Sequence, residues 1–212
     1  MLEMEITEFK ESKLQETDSV QQPPKTAILI DSNDKFLNHR RLFPTHSVGK
    51  FWCPTTDNAL KLLCQSTLNT PQNILIHTGT NDLRSKGEKV AEPLKKVAEK
   101  AHRLFPQANI AISTLLPRRD YPGGLINKIN QSITSDCATL HNVTIIHHPA
   151  LSCDHLYDLV HLDQEGVRLF AKDLRDLQRP THPPAPQTSS TPPSPVLCRL
   201  QEIPPPTKQS PA

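Results

Sequence analysis

The sequence has 212 residues, of which 35% are hydrophobic, 4% aromatic and 22% charged, and its formal net charge is +2. A chain of this length can bury one sizeable core, and its 21 prolines indicate that part of it stays outside that core. The basic pairs Arg40-Arg41 and Arg118-Arg119 stand alone. The charge pattern therefore gives no support for a nucleic-acid-binding surface.

The cysteines argue against a disulfide framework and against a zinc knuckle, because they are odd in number, widely spaced and free of CxxC pairs. They are Cys53, Cys64, Cys137, Cys153 and Cys198. The first residues are acidic where a signal peptide needs positive charge, and no segment has the apolar length of a membrane span. We therefore expect an intracellular, cytoplasmic protein with reduced thiols and no signal peptide.

The two ends of the chain differ in composition from its middle. Residues 1–24 are polar and charged, which predicts a mostly disordered leader. Residues 179–212 are dense in proline, which predicts a disordered tail that could bind a protein that reads proline motifs. The folded domain is expected at residues 25–178.

Within this domain, short apolar runs alternate with helical patterns. The predicted elements, in chain order, are strands at 27–30 and 48–52, a helix at 56–65, a strand at 74–76, a helix at 88–105, a strand at 110–115, a helix at 125–140, a strand at 143–146 and a helix at 164–177. Each strand has the composition of one buried on both faces. The alternation predicts a three-layer α/β/α sandwich with a five-stranded parallel sheet, flavodoxin-like in architecture.

The unusual polar residues follow the predicted strands. Asp31-Ser32-Asn33 comes after the first strand, Gly79-Thr80-Asn81-Asp82 follows the third, and Asp158-Leu159-Val160-His161 precedes the last helix. If the strand order is 2-1-3-4-5, the first and third strands are neighbours where the order reverses, and their loops open into one crevice.

These segments resemble, in order and spacing, the blocks of SGNH/GDSL hydrolases. The segments are Ile30-Asp31-Ser32, Gly79-Thr80-Asn81-Asp82 and Asp158-Leu159-Val160-His161. The resemblance covers about residues 26–178, and within the family the chain is most similar to esterase-like domains of retrotransposon-derived open reading frames. It implies a serine esterase that needs no cofactor or metal and acts on a small ester, such as an acetyl ester of a lipid or sugar.

The resemblance also assigns roles to individual residues. Ser32 would be the nucleophile, His161 the general base and acid, and Asp158 the group that orients His161. The backbone N–H of Ser32 and the amide of Asn81 would form the oxyanion hole together with a glycine N–H. Asp31, Gly79, Thr80 and Asp82 would line the site.

The chain departs from the family pattern at two positions. Cys53-Pro54-Thr55 stands where a glycine-led turn should follow the second strand, and Gly49 comes too early, inside that strand. Ile30 replaces the glycine that usually precedes Asp-Ser. The missing glycine favours an alternative, a catalytically weak SGNH-like binding or scaffold module. A third hypothesis, a nucleic-acid-associated protein of retroelement origin, requires a basic surface patch.

Structural explanations compete with each of these assignments. Ser32 could be a small turn residue, Asn81-Asp82 a helix cap, and Asp158 and His161 a cap and a buried structural histidine. His77 is expected to serve packing, and Cys53 and Cys64 are expected to be core thiols. A metal site at His147-His148 with Asp154-His155 is not expected, because neighbouring residues of an extended strand point to opposite faces.

Overall fold

The computed structural model of the protein describes residues 24–45 and 47–176 and places a five-stranded parallel sheet at their centre. The strands are β1 (Thr26–Ile30), β2 (Val48–Trp52), β3 (Asn73–His77), β4 (Asn109–Ser113) and β5 (Val143–Ile146). Their order is β2-β1-β3-β4-β5, and every adjacent pair is parallel. The predicted α/β fold is confirmed, including the reversal of strand order between β1 and β3.

Helices connect the consecutive strands as the alternating pattern predicts, and one further helix follows β5. They are α1 (His39–Leu42), α2 (Thr56–Leu62), α3 (Gln65–Leu68), α4 (Leu83–Lys86), α5 (Ala91–Leu104), α6 (Gly123–Cys137) and α7 (Gln164–Asp176), with 3₁₀ turns at Ser32–Phe36, Gly87–Val90 and Cys153–His155. The helix predicted at 56–65 ends at Leu62, and α3 starts separately. The helix predicted at 88–105 begins as a 3₁₀ turn.

The core has two parts, one on each face of the sheet. Alternate residues of the central strands point to opposite faces, so Ala27 and Leu29 of β1 pack with α5 and α6, whereas Ile28 and Ile30 pack towards α7. The face towards α7 also holds the fully buried Phe170. This arrangement makes the three layers that the sequence predicts.

The two outer strands differ from the expectation that all strands are buried on both faces. The residues of β2 are exposed or only partly buried, and in β5 only Ile146 is buried. Trp52, at the end of β2, is 61% exposed. The reason is position, since an outer strand has a neighbour on one side only and its short helices cover it incompletely.

Four cysteines fall within the described residues, and all four are free thiols. Burial raises the pKa of Cys53 and of Cys137 to about 11 in each case, so both stay protonated at neutral pH. Cys64 is only partly buried, and its sulfur lies beside the hydroxyl groups of Ser66 and Thr67. The expectation of a core thiol is therefore right for Cys53 and wrong for Cys64.

Among the described residues, no helix combines the length and the apolar character needed to cross a membrane. The predicted leader at 1–24 lies outside the described residues except for Pro24, and the proline-rich tail at 179–212 lies outside them entirely. The leader, the tail and its binding partner stay predictions.

Candidate active site

Three loops meet at the carboxyl end of the sheet. The turn after β1 carries Ser32, the loop after β3 carries Asn81, and the segment before α7 carries His161. β1 and β3 are hydrogen-bonded neighbours, with Ile30 paired to His77 at their ends. The reversal of strand order thus brings the first two loops together, as expected for a binding crevice in an open α/β sheet.

Ser32, His161 and Asp158 form a linear arrangement. His161 Nε2 lies 3.0 Å from Ser32 Oγ, and His161 Nδ1 lies 2.7 Å from Asp158 Oδ2. The side chain of His161 is 31% exposed and that of Asp158 is 41% exposed. The hydroxyl group is therefore within hydrogen-bond reach of an imidazole that solvent and small molecules can approach.

Asp158 is held in its charged form by its own loop. Its Oδ1 accepts hydrogen bonds from the backbone N–H groups of Val160 and His161, both at 2.7 Å. Partial burial raises the pKa of Asp158, but these two N–H groups and the His161 ring outweigh it and lower the pKa to about 2. Because a carboxylate only accepts, His161 Nδ1 must carry the proton between them, which leaves a lone pair on Nε2 facing Ser32.

The turn that presents Ser32 is fixed by its neighbours. Asp31 Oδ1 accepts from the backbone N–H of Asn33 at 3.0 Å and from its side-chain amide at 3.3 Å. Asn33 Oδ1 in turn accepts from the N–H of Leu162 at 3.4 Å. Asn33 thus joins the Ser32 turn to the residue that follows His161. Ile30, the bulky replacement for a family glycine, is buried in the core and does not enter the crevice.

The loop after β3 approaches the same crevice. Gly79 has φ +103°, and a Cβ at this position would lie 3.1 Å from a methyl group of Leu94, so only glycine fits without strain. Asn81 is exposed, and its Nδ2 donates one hydrogen bond to the carbonyl of Pro54 at 3.0 Å. An amide has two N–H groups, so the second can reach a bound molecule.

The segment that should supply the third oxyanion donor has another role. Cys53 N–H continues the sheet by donating to the carbonyl of Ile30, and Pro54 has no N–H. Thr55 caps α2, because its hydroxyl accepts from the N–H of Asn58. Gly49 lies within β2 against Pro24, far along the strand from its carboxyl end. The structure therefore assigns no glycine donor here.

Two predicted lining residues, Asp31 and Asp82, are buried beneath the crevice instead. Asp82 accepts from the N–H of Thr56 at 2.8 Å and from its hydroxyl at 3.2 Å, and it pairs with Lys86 at 2.6 Å. The physical reason is that a carboxylate at the start of α2 satisfies N–H groups that have no partner within the helix. Asp82 thus supports the loop but does not line it.

A cavity of about 380 Å³ adjoins His161. It is lined by Thr80, Asn81, Arg84, Arg118, Asp120, Leu159, Val160 and His161. Arg118 forms two hydrogen bonds with Asp120, at 2.8 and 2.6 Å, and a third with the carbonyl of Thr80 at 2.8 Å. The residues that line the cavity thus include charged and amide side chains as well as the apolar Leu159 and Val160.

Sequence reasoning missed two residues that hold the segment of Asp158 and His161. The guanidinium of Arg119 donates to the carbonyls of Asp158 and Cys153 at 3.0 and 2.9 Å. The ring of Tyr157 stacks on the His161 ring at 5.8 Å between centroids. The pair Arg118-Arg119 after β4 was visible as a charge feature, but nothing in the sequence connects it with a loop 40 residues away.

No group of three His, Cys, Asp or Glu side chains that could hold a metal ion occurs in the part of the chain that the structure describes. His147 is exposed and His148 is buried, as the alternation along an extended segment predicts. Asp154 and His155 belong to the 3₁₀ turn Cys153–His155, where the His155 ring accepts from the N–H of Ser152. These residues therefore have separate structural roles.

Comparison with known proteins adds relatives in sequence. No protein-family model matches the chain. The human platelet-activating factor acetylhydrolase IB subunit alpha2 is 30% identical over 118 residues, which are 50% of this chain and 52% of that protein. The chicken protein of the same name is 27% identical over 154 residues, or 65% and 67% of the two chains. The chain thus spans about half the length of the mammalian relatives it matches.

Solved structures share the fold. A lipolytic G-D-S-L family protein from Veillonella parvula has a TM-score of 0.55 at 17% identity, covering 71% of this chain and 96% of that one. A lipase/acylhydrolase from Enterococcus faecalis has 0.55 at 17%, covering 71% and 93%. A family 3 carbohydrate esterase from Clostridium thermocellum has 0.55 at 15%, covering 71% and 92%. The five-stranded α/β fold of this chain is the one that these hydrolases share.

Proposed function

We propose that the chain is an SGNH-type serine hydrolase that cleaves a small carboxylic ester. The observation that carries the proposal is the arrangement of Ser32, His161 and Asp158, with a 3.0 Å contact between Ser32 Oγ and His161 Nε2 and a 2.7 Å contact behind it. The fold shared with lipases and esterases and the sequence similarity to acetylhydrolases support the same conclusion.

The proposed reaction follows from the positions of these three side chains. Ser32 Oγ attacks the ester carbonyl carbon while His161 Nε2 takes its proton, and Asp158 stabilises the imidazolium that forms. His161 then gives that proton to the departing alkoxide, and an acyl group stays on Ser32. A water molecule, deprotonated by His161, attacks the acyl carbon. The bond from this carbon to Ser32 Oγ then breaks, His161 returns the proton to Oγ, and the carboxylic acid leaves. No step requires a metal or a cofactor.

The negative charge on the tetrahedral intermediate needs donors that are in place beforehand. The backbone N–H of Ser32 and the second amide N–H of Asn81 would supply two of them, because Asn81 lines the cavity beside His161. Its bond to Pro54 fixes the orientation of this amide. With no glycine donor assigned after β2, we expect slower turnover than a complete oxyanion hole would give.

The substrate class is proposed from the cavity and from the relatives. The cavity of about 380 Å³ gives an ester room beside the His161 imidazole. The relatives that match in sequence are named as acetylhydrolases, so an acetyl ester is the first substrate to test. Whether the alcohol is a lipid or a sugar is a question for a substrate panel.

Pro54 supports the second candidate, a catalytically weak SGNH-like binding module. A proline has no N–H to offer an oxyanion at the position where the family places its glycine-led turn. Such a module would bind esters or carboxylic acids in the same crevice without appreciable turnover. Its predicted proline-rich tail would then provide the link to a partner protein.

The deciding experiment is labelling with a fluorophosphonate probe together with hydrolysis of p-nitrophenyl acetate. Ser32→Ala should lower both by more than about 10³-fold. Ser152→Ala is the matched control, because Ser152 Oγ also lies near a histidine ring, His155 Nδ1 at 3.2 Å, but belongs to a capping turn. Equal labelling of wild type and Ser32→Ala, or no labelling of either, would refute the hydrolase and favour the binding module.

Three narrower predictions from sequence concern the origin of the chain, its location and its partner. The resemblance to esterase-like domains of retrotransposon-derived reading frames, the cytoplasmic location and the partner of the tail stay predictions. None of them changes the proposed chemistry, which depends only on residues 31–33, 79–82 and 158–161.

A further inference from the structure

A row of buried polar side chains runs behind Ser32 across the sheet. We call it the buried polar chain; its members are Asp31, His77, Ser113, His148 and Asp173. His77 Nδ1 lies 2.8 Å from Ser113 Oγ, Ser113 Oγ lies 2.8 Å from His148 Nε2, and His148 Nδ1 lies 2.9 Å from Asp173 Oδ2. At the other end, His77 Nε2 lies 3.7 Å from Asp31 Oδ1.

This chain crosses the core from the surface to the floor of the crevice. The side chains of Asp31 and His77 are fully buried, whereas that of Asp173 on α7 is 19% exposed. The Phe170 ring packs against both histidine rings, with centroids 5.0 Å away in each case. Apolar residues would fill this space at lower cost, so the polar chain calls for a functional explanation.

The direction of each hydrogen bond follows from the Asp173 end. A carboxylate only accepts, so His148 Nδ1 donates to Asp173, and the remaining nitrogen of a neutral His148 accepts from the Ser113 hydroxyl. Ser113 oxygen then accepts from His77 Nδ1. The five side chains of the buried polar chain are separated by four gaps. Two neutral imidazoles and one hydroxyl supply only three protons to fill them. The gap left without a proton is the one between His77 and Asp31.

The geometry agrees with this proton count. The three gaps that hold a proton measure 2.8, 2.8 and 2.9 Å, and the fourth measures 3.7 Å. Among the described residues, His77 Nε2 and Asp31 Oδ2 are two of the few buried side-chain atoms that lack a hydrogen-bond partner. Burial lowers the pKa of His148 to about 3 and also lowers the pKa of His77, against the opposing effect of Asp31. Both rings are therefore neutral at physiological pH.

The same three protons can also leave the gap at the other end of the buried polar chain. In this second arrangement His77 donates from Nε2 to Asp31, the Ser113 hydroxyl donates to His77 Nδ1, and His148 donates from Nε2 to Ser113. The contact without a proton is then the one between His148 and Asp173, where the Asp173 side chain is 19% exposed to solvent.

We propose that His77 is a positioning residue for Ser32, acting through Asp31, the acceptor that holds the nucleophile turn. The proposal rests on the proposed hydrolase function. Asp31 precedes Ser32, caps the 3₁₀ turn Ser32–Phe36 and accepts both N–H groups of Asn33. His77 faces the Asp31 carboxylate from β3. Without this ring Asp31 would shift, the turn would loosen and Ser32 Oγ would leave the reach of His161.

The charges around the pair are defined by the elements that pack on it. His77 faces Ser113 from β4, the His148 ring from the segment after β5, the apolar Phe170 ring from α7 and Asp31 from the turn after β1. Asp31 also faces Asn33 and the Cys53 thiol. Burial keeps that thiol protonated, since its pKa is about 11.

The test compares His77→Leu, His77→Gln and the control His102→Leu in the full chain. Leucine removes the ring that faces Asp31 and that can donate to it in the second proton arrangement, so the fluorophosphonate labelling rate at pH 7 should fall about tenfold or more. An amide can donate to Asp31 and accept from Ser113, so His77→Gln should stay within about threefold of wild type. His102 contacts Asn142, outside the buried polar chain, and its replacement should not change the rate.

If His77→Leu does not fold, Asp31→Asn tests the same proposal by the same labelling measurement. It should lower labelling about tenfold, because a neutral amide is a weaker acceptor for the Asn33 N–H groups. A folded His77→Leu or Asp31→Asn that labels at the wild-type rate would overturn the proposal. Absence of labelling in wild type, or labelling that persists in Ser32→Ala, would instead refute the hydrolase function. Failure of the positioning proposal and failure of the hydrolase function are thus distinguishable.

Discussion

The molecule contains two Ser–His–Asp arrangements with nearly the same internal geometry. In the crevice, Ser32, His161 and Asp158 are joined by contacts of 3.0 and 2.7 Å. In the buried polar chain, Ser113, His148 and Asp173 are joined by contacts of 2.8 and 2.9 Å. Distances alone would not tell which serine is the nucleophile.

The two arrangements differ in access and in what surrounds each histidine. His161 is partly exposed and borders a cavity, whereas His148 is enclosed and its pKa is lowered to about 3 by burial. A general base must accept a proton during the reaction, which an enclosed ring with so low a pKa resists. The hydroxyl of Ser113 is also engaged with a second ring, His77. Access to solvent and to the cavity therefore distinguishes the arrangement that we propose as catalytic from the buried one.

The largest effect should come from making the same substitution in both arrangements. Asp158→Asn removes the carboxylate that fixes the His161 tautomer, and turnover of p-nitrophenyl acetate should fall about 10²- to 10⁴-fold. Asp173→Asn retains an oxygen that can accept from His148 Nδ1, and turnover should fall less than about tenfold. Steady-state rates of purified variants with matched circular dichroism spectra measure both. Equal losses in the two variants would remove the functional distinction between the arrangements.

Much of the arrangement in the crevice could be predicted from sequence because it depends on local motifs. The segments that carry Ser32, Asn81 and His161 follow or precede periodic elements, and parallel topology places their loops at one edge of the sheet. The strand order and the 3.0 Å contact of Ser32 with His161 agree with that reasoning.

The buried polar chain could not be predicted in this way. His77, Ser113 and His148 lie on three different strand ends, and each looks like an isolated polar residue in its own segment. Only the register that pairs β3 with β4 and β4 with β5 brings them into one line. The burial of Asp31 and Asp82 was missed as well, because the groups that bond to Asp31 Oδ1 and to Asp82 come from a turn and from a helix start that the sequence does not place beside them.

A smaller effect should come from the oxyanion side of the crevice. Asn81→Ala removes the amide that lies beside His161, and turnover should fall about 10²-fold with little change in KM, because the hydrogen bond forms mainly in the transition state. Asn109→Ala, at an exposed asparagine that begins β4 at the opposite end of the sheet, is the control and should keep wild-type rates. A rise in KM with no change in turnover would instead indicate that Asn81 acts in ground-state binding.

The smallest effect concerns stability and again separates a buried histidine from an exposed one. His148 has a folded-state pKa of about 3, against about 6.5 for an unfolded histidine. Above about pH 6.5 both states are neutral and this group adds no pH dependence. Between about pH 6.5 and 3 the unfolded chain binds one more proton, so the free energy of unfolding should fall by about 1 kcal/mol per pH unit, with His77 acting in the same direction.

Urea unfolding at pH 7.5 and at pH 5.5 measures this slope in wild type, His148→Gln and His147→Gln. The glutamine at 148 cannot titrate, so that variant should lose less stability on acidification than wild type, even if it is less stable at pH 7.5. His147 is exposed and lies outside the buried polar chain, so its replacement is the matched control and should leave the slope unchanged. Identical slopes in all three proteins would mean that His148 already binds its proton in the folded state, and the three-proton count for the buried polar chain would then be wrong.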